Sequence, residues 1–490
     1  MTLTTRTGPA DRTGTAEPSG ETAPWEGRPL TDHWDTVRAL VRDAHPRQAG
    51  PAPGDGDPAG ADPAGFAPDG ELPALDGPLR GYLAAAGTRV TRLPDHRGVR
   101  WQLFDHCATA GSRTAQPDTA LLLVARAVQH TRRTGRRIAL LAPSSGNLAS
   151  TLRDALLRAH RYGLAHPDQV RVIALVPAAA RHKVADSPLA RHPELRRRNP
   201  LVVHHGAEPG AVHELAAAYC RAHARALRTG TGAALWYVRD PVEHRAAAAL
   251  RAFVERDALG AAPAAGRVHA QTADTGSAAL GHRAGSALAA DGAADAAGPR
   301  PLLVQQPRTC GLVLHLLTGS CSREDAPRYR YDAARRLHHQ AAGSPDPHFP
   351  RTAHHPEEVV EPAFFTRAPG TAPEVSALLR AHGGTGIVVS RYECLARYPS
   401  LRALLAPAGV ALPADPARLA DWSLVMALTG ALNAAERGLP AGPEVVVHRT
   451  AAHGAADRAP VPGALARYAD SADELHAVLT GALDDRGRSR

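Results

Sequence analysis

The residues with the clearest chemical potential are Ser144, Ser145, Gly146 and Asn147. They directly follow a short aliphatic run and directly precede a segment with apolar residues at helical spacing. A loop that enters a helix exposes backbone N–H groups, and the helix dipole adds partial positive charge at the same end. The sequence therefore predicts that this loop receives an anion. Taken alone, the pattern also fits a plain strand-to-helix turn without a ligand.

Amine chemistry has one candidate side chain in the whole protein. Of the 57 Lys and Arg residues, only Lys183 is a lysine. Arginine stays protonated and cannot replace lysine as a nucleophile. Cys107 is a second candidate, although a small thiol is more often buried without a chemical role. We predict no metal site, because the histidines that crowd one segment match no standard ligand spacing; they are His338, His339, His348, His354 and His355.

Composition narrows the class of protein. The 490 residues are 44% hydrophobic and 21% charged, which indicates a globular protein of two or three domains. The absence of a long apolar run or an apolar leader leads us to expect a cytoplasmic protein without a membrane partner. Five cysteines without a CxxC pair indicate neither a disulfide framework nor a zinc ribbon. The net charge is +9, but the arginines are scattered and aromatics are 4%, so no nucleic-acid partner is predicted.

Short aliphatic runs alternate with helical patterns along most of the chain, which predicts crossover units and mostly parallel sheets. The predicted strands are 137–142, 170–176, 201–204, 235–238, 268–272, 302–305, 386–390 and 445–448. The predicted helices are 119–132, 148–162, 210–228, 278–290, 308–318, 373–381, 392–405 and 419–437. Residues 320–361 interrupt this pattern with Arg, His, Pro and Tyr, so we interpret them as an insertion or lid.

Several short motifs, in order over roughly residues 75–465, resemble the fold type II family of pyridoxal-phosphate enzymes. The likeness is nearest to threonine synthase and more distant to cysteine synthase. The matching segments are Ser144–Asn147, Val176-Pro177 with Lys183, Tyr237–Pro241, Thr275–Gly281, Arg300–Gln306, Gly386–Glu393 and Val445–Gly454.

The resemblance implies roles for particular residues. Ser144, Ser145, Gly146 and Asn147 would receive the substrate carboxylate, with Asn147 facing the phenolic oxygen of the cofactor. The cofactor phosphate would lie at the second loop, and the pyridine nitrogen would face the last one. The residues concerned are Thr275, Gly276 and Ser277 for the phosphate, and Thr450 for the nitrogen, with His453 nearby as an acid/base candidate or a loop histidine without a role.

One departure from the family is decisive for the chemistry. In that family a GSFK-like segment supplies the lysine that forms the internal aldimine, and the matching stretch here is Thr109–Thr114. Thr114 stands in the place of the lysine, and a hydroxyl forms no Schiff base. Lys183 matches a family lysine that does not bind the cofactor. The expected cofactor is therefore pyridoxal phosphate held non-covalently, or another phosphorylated ligand.

The fold class implied is α/β, with two mostly parallel open sheets, flanking helices and a disordered N-terminal tail. We predict a tail and linker over 1–74, with a short helix around residues 32–43. A larger domain follows over 75–103 and 235–470 with the 320–361 insertion, together with a smaller domain of 104–234 and a C-terminal helix or tail over 471–490. The resemblance also implies a homodimer.

Three hypotheses for function follow. The first is a diverged threonine synthase-like protein of amino-acid or specialised metabolism that binds a small anionic substrate or phosphorylated ligand. Its reaction would be elimination or replacement without an internal aldimine. The second is a catalytically inactive scaffold or regulatory subunit that pairs with an active partner. The third is an enzyme of unrelated chemistry that uses Cys107 or a histidine. Fold alone does not decide between them.

Overall fold

The structure is a computed structural model. It describes residues 23–45, 66–107, 117–206, 208, 210–239, 242–260, 262, 266–290, 298–341, 343, 345–439, 442–451 and 459–484. No helix within these ranges has both the length and the apolar composition to cross a membrane.

The strands, in chain order, are β1 (Trp25–Gly27), β2 (Thr88–His96), β3 (Val99–Asp105), β4 (Ile138–Pro143), β5 (Val170–Pro177), β6 (Leu201–His204), β7 (Ala234–Tyr237), β8 (Val268–Thr272), β9 (Arg300–Gln305), β10 (Tyr329–Asp332), β11 (Leu337–Gln340), β12 (Thr352–Ala353), β13 (Thr385–Val388), β14 (Glu444–Arg449) and β15 (Arg467–Tyr468).

The helices are α1 (Pro29–Asp32), α2 (Trp34–Ala44), α3 (Gly77–Leu83), α4 (Asp118–Thr134), α5 (Asn147–Arg161), α6 (Pro188–Arg191), α7 (Pro193–Arg198), α8 (Ala211–Thr231), α9 (Val242–Leu259), α10 (Ser277–Ala289), α11 (Gly311–Thr318), α12 (Ala372–Ala381), α13 (Arg391–Leu405), α14 (Ser423–Glu436) and α15 (Ala472–Leu483).

Two sheets organise the molecule. The larger has seven strands in the order β1-β2-β3-β14-β8-β9-β13, and its last five strands run parallel. The smaller has five parallel strands in the order β15-β6-β5-β4-β7. Every residue of β4 and β5 is buried, as expected for central strands covered by helices on both faces. The predicted α/β class with mostly parallel sheets and flanking helices is confirmed.

Two predicted domain boundaries need correction. Strand β7 was assigned to the larger domain, but it pairs in parallel with β4 of the smaller sheet. Strand β15 also lies within the range predicted for the larger domain, yet it pairs with β6. Conversely, Phe104 and Asp105 belong to β3 of the larger sheet. An apolar run identifies a strand but carries no information about its neighbour, which depends on contacts between distant segments.

For residues 1–74 the sequence predicts a disordered tail and linker with a short helix around residues 32–43. The helix is present as α2, but the packing of this region contradicts a disordered tail over part of the range. Strand β1 pairs with β2 at the edge of the larger sheet. Helix α2 buries Trp34, Val37 and Val41, which occupy one face at helical spacing. The indole N–H of Trp34 donates to the Pro73 carbonyl at 3.0 Å. These apolar anchors make the segment part of the core.

The predicted insertion forms a small antiparallel sheet in the order β10-β11-β12. Ring nitrogens of three of its histidines lie close to oxygen atoms: His338 faces the His354 carbonyl, His339 the Thr352 hydroxyl, and His348 the Gly386 carbonyl. Its last residue, Glu361, is completely buried, so the end of this segment belongs to the core rather than to a lid.

Candidate functional site

The Ser144–Asn147 loop joins the end of β4 to the start of α5. The Ser144 hydroxyl accepts hydrogen bonds from the Gly146 and Ala149 backbone N–H groups at 3.0 and 3.1 Å. Gly146 has φ +107°, and a Cβ there would lie 2.7 Å from Cβ of Lys183. The loop can therefore pack against Lys183 only because glycine has no side chain. Ser145 and Asn147 remain half-buried at its surface.

The side-chain amide of Asn147 has a partner from the other half of the molecule. Its Nδ2 donates to Oδ2 of Asp421 at 3.0 Å. Asp421 lies just before α14, which packs on the larger sheet, whereas Asn147 begins a helix that follows the smaller sheet. The residue expected to face a cofactor oxygen is therefore committed, in this structure, to a carboxylate of the protein.

The single lysine lies in the same place. Lys183 ends a short 3-10 helix after β5, and its Nζ donates to Glu361 and, at 3.1 Å, to Oδ2 of Asp421. The three side chains are 2%, 1% and 3% exposed. We call Lys183, Glu361, Asp421 and Asn147 the lysine cluster. One ammonium group is thus enclosed by two carboxylates and shielded from solvent.

Burial and charge act against each other within the lysine cluster. Burial alone would lower the pKa of Lys183, but Asp421 and Glu361 raise it above its usual value. Burial would raise the pKa of Asp421, yet Lys183 and the hydrogen bonds from Ser423 and Asn147 hold it at about 2. Burial and the nearby Asp421 raise the pKa of Glu361. The amine is therefore held protonated and is not a nucleophile.

Further hydrogen bonds fix both carboxylates. Oε2 of Glu361 accepts from the Trp422 backbone N–H at 2.9 Å, and Oδ1 of Asp421 accepts from that of Ser423 at 2.9 Å. Gln306, which follows β9, donates from Nε2 to the Glu361 carbonyl and accepts the Glu361 N–H at Oε1. The lysine cluster therefore ties the carboxyl end of β5 in the smaller sheet to that of β9 in the larger one.

The second predicted anion loop, Thr275–Ser277, joins β8 to α10. Gly276 has φ +74°, and a Cβ there would lie 2.7 Å from the Val375 side chain. The hydroxyls of Thr275 and Ser277 are 3.0 Å apart, and the Thr371 hydroxyl donates to the Thr275 carbonyl. Thr275 is half-buried and Ser277 is buried. The loop lies at the start of α10. Its glycine is explained by packing, because a side chain at position 276 would collide with Val375.

One segment, residues 360–371, links the two loops; we call it the bridging segment. At one end it carries Glu361 of the lysine cluster. Near its middle, the backbone N–H and hydroxyl of Thr366 donate to Asp274 at 2.8 and 2.6 Å, next to the second loop. Between them, the Phe364 carbonyl accepts a hydrogen bond from Gln306 at 2.7 Å. The protein's own chain thus lies across the carboxyl ends of β8 and β9.

Of the four remaining predicted site residues, two lie in the part of the chain that the structure describes. Thr450 is half-buried immediately after β14. Cys107 is half-buried after β3, and its backbone N–H donates to Asp105 at 2.9 Å. Thr114 and His453 lie outside the described residues. Sequence reasoning missed Glu361 and Asp421, because each is a single acidic residue in an otherwise ordinary segment.

A second polar cluster, also missed, is buried within the larger domain. We call it the histidine cluster: His106 after β3, His269 on β8, His282 on α10, His448 on β14 and Glu255 on α9. The usable signal was a histidine inside each of the predicted strands β8 and β14. Burial lowers the pKa of His282 to about 4 and that of His448 well below its usual value. Burial would raise the pKa of Glu255, but His269 and His282 hold it well below normal.

Pyridoxal phosphate, the cofactor implied by the sequence motifs, fits this chain only in part. Covalent attachment through its aldehyde requires a free amine, and the one lysine is enclosed by Glu361 and Asp421. A cofactor linked through lysine therefore does not fit. Half-buried polar side chains at Ser145 and Thr275 lie at the carboxyl ends of the strands, where α/β proteins bind ligands.

These features define an α/β protein with two mostly parallel sheets joined at their carboxyl ends by a buried ion cluster. The chain belongs to a family of unknown function, DUF6002, whose model matches residues 27–483. No curated protein matches the sequence.

Solved structures with similar folds include three pyridoxal-phosphate or amino-acid enzymes. A pyridoxal 5'-phosphate-dependent aspartate racemase has 13% identity and a TM-score of 0.47, covering 74% of this chain and 90% of that one. An O-ureido-L-serine synthase has 14% identity and a TM-score of 0.43, covering 79% and 93%. A PLP-bound threonine synthase from Brucella melitensis has 12% identity and a TM-score of 0.43, covering 74% and 69%.

Proposed function

We propose that this protein binds a small phosphorylated ligand, pyridoxal phosphate or a molecule of similar charge, non-covalently between its two sheets. It forms no Schiff base with that ligand. The observation that carries the proposal is the state of Lys183, whose ammonium is enclosed by two carboxylates. An amine that is buried, protonated and paired cannot attack an aldehyde.

Two features support an anionic ligand. The Ser144–Asn147 and Thr275–Ser277 loops each lead from the carboxyl end of a parallel strand into a helix of 13 residues or more. The first turns of such helices offer unpaired N–H groups and a positive dipole end. Ser145, Asn147 and Thr275 are half-buried rather than enclosed. Any chemistry on the bound ligand would have to use protein groups other than an amine.

The experiment compares ligands that differ in one group. Equilibrium dialysis would measure the affinity of the full chain for pyridoxal phosphate, for pyridoxine phosphate, which has an alcohol instead of the aldehyde, and for pyridoxal, which has no phosphate. We expect the two phosphorylated ligands to bind within a factor of about three of each other, a difference below 1 kcal/mol. Pyridoxal should bind much more weakly, because the helix ends act on the phosphate.

A charge substitution at the second loop provides the matched control. Thr275→Asp places a carboxylate beside the expected phosphate and should weaken binding at least about tenfold. Thr229→Asp, at an exposed position near the end of α8, should leave binding unchanged. A strong preference for the aldehyde over the alcohol would overturn the non-covalent mode. Failure of both phosphorylated ligands to bind would overturn the proposal itself.

The bridging segment favours a second candidate function, a scaffold or regulatory subunit without a ligand in the cleft. This segment and Asp421 already bond to both loops that would hold a ligand. If the dialysis finds no phosphorylated ligand and native mass spectrometry finds a defined homodimer, this candidate replaces the first.

A further inference from the structure

The histidine cluster brings three imidazoles from three separate elements to one point. One ring nitrogen from each of His269, His282 and His448 lies within 4.8 Å of the others. Their side chains come from β8, α10 and β14, so the arrangement is held by the fold rather than by one flexible loop. All three residues are at most 2% exposed. Imidazole nitrogens are common protein ligands of transition-metal ions.

In His269 and His448, one ring nitrogen faces the other histidine, and the second, outer nitrogen has a neighbour of the kind that orients metal ligands. Nδ1 of His269 and Nε2 of His448 face each other at 3.1 Å. On the far side of each ring, Nε2 of His269 lies 3.4 Å from Oε2 of Glu255, and Nδ1 of His448 lies 3.1 Å from Nε2 of His106. A metal-ligating histidine usually presents its second nitrogen to a carboxylate or another acceptor. Glu255 and His106 occupy these outer positions.

Glu255 and two arginines lie beside the histidine rings. Glu255 also lies 3.3 Å from Nε2 of His282 and is held by Arg267, which pairs in addition with Glu444. Arg251, the other nearby cation, donates to the amide oxygen of Gln271. The contacts of Glu255 with the two histidines are longer than most hydrogen bonds, and neither Nε2 atom has a hydrogen bond of good geometry. The three imidazoles therefore lie together although Nε2 of His269 and Nε2 of His282 lack a well-formed hydrogen bond.

We propose that His269, His282 and His448 bind one divalent transition-metal ion, with Glu255 and His106 as the outer residues that orient the histidine rings. Neutral imidazole ligands suit zinc and its neighbours rather than magnesium or calcium, which prefer oxygen. Ligand nitrogens at about 2.0–2.1 Å from a tetrahedral zinc ion lie about 3.4 Å from one another. Nδ1 of His269 and Nε2 of His448 are 3.1 Å apart, and the three ring nitrogens lie within 4.8 Å of one another. This site is separate from the lysine cluster and does not depend on the function proposed above.

The test uses the tag-free full chain, treated with a chelator and then dialysed against ZnCl2 or CoCl2. We expect about one tightly held zinc per chain by elemental analysis. Co2+ should give the intense visible absorbance of a four-coordinate ion bound by imidazole. This spectrum needs no variant, so it remains informative if substitutions in the core prevent folding.

Paired variants assign the site. His282→Asn/His448→Asn should weaken zinc binding by more than about 100-fold, since even loss of an outer residue costs about 10- to 100-fold. Glu255→Gln removes the charge of an outer residue and should weaken zinc binding by about 10- to 100-fold. His354→Asn/His355→Asn removes two exposed histidines from the insertion and should leave zinc binding unchanged.

Two results would overturn the proposal. One is the absence of both retained zinc and a four-coordinate Co2+ spectrum in the unmodified chain. The other is equal loss of zinc from the core and surface variants, since that would indicate adventitious binding by a histidine-rich surface.

Discussion

Replacing Lys183 with methionine should destabilise the folded protein by about 3–5 kcal/mol. The substitution preserves most of the side-chain volume but removes the ammonium group that faces Glu361 and Asp421. Both carboxylates would remain buried with no compensating charge, and removal of one partner of a buried ion pair carries this cost. Urea denaturation followed by far-UV circular dichroism measures the change.

Two further variants distinguish loss of charge from loss of packing. Lys183→Met/Glu361→Gln removes one of the stranded carboxylates and should recover part of the lost stability. Arg92→Met removes an exposed ion pair in which Arg92 and Asp95 are 51% and 48% exposed, and it should cost under about 1 kcal/mol. If Lys183→Met is no more harmful than Arg92→Met, the lysine cluster does not hold the two sheets together.

Arg126→Met is expected to be comparably harmful, at about 3–5 kcal/mol. Arg126 lies on α4, and its Nη1 donates to Glu243 on α9 at 2.7 Å, with both side chains 1% exposed. Its Nε donates to the Asp69 carbonyl at 2.7 Å, and its guanidinium lies 4.9 Å from the Trp236 ring centre. Loss of this side chain leaves Glu243 buried without a counter-charge and releases the segment before α3. Thermal and urea unfolding both measure this loss of stability.

The same helix supplies the control. Arg133 pairs with the Asp69 side chain, but the two are 44% and 33% exposed. Arg133→Met should therefore cost under about 1 kcal/mol. Similar unfolding midpoints for the two arginine variants would contradict the buried anchor.

The sequence was most informative where local pattern decides structure. The aliphatic runs at β4 and β5 predicted strands because strands covered by helices on both faces are mostly apolar. The same reasoning failed for β7, which was placed in the wrong domain, because pairing depends on distant contacts. The sequence predicted a short helix at the position of α2, but not that Trp34, Val37 and Val41 anchor it in the core.

In the candidate site, too, local pattern was predictable and contacts between distant segments were not. The Ser144–Asn147 loop could be found because a strand, a turn and a helix are adjacent in sequence. The partners of Lys183 could not, since Glu361 and Asp421 are 178 and 238 residues away along the chain. A unique lysine in the sequence suggests an amine available for chemistry. Only the fold shows that two carboxylates enclose it.

The central claim is that Lys183 is a structural cation and not a cofactor lysine. The most direct test incubates the native full chain with excess pyridoxal phosphate, reduces it with borohydride and maps the peptides by mass spectrometry. We predict no pyridoxyl group on Lys183 in the folded protein, with the α-amino terminus and urea-unfolded chain as positive controls for reaction. A stoichiometric pyridoxyl group on Lys183 of the folded protein would contradict the account.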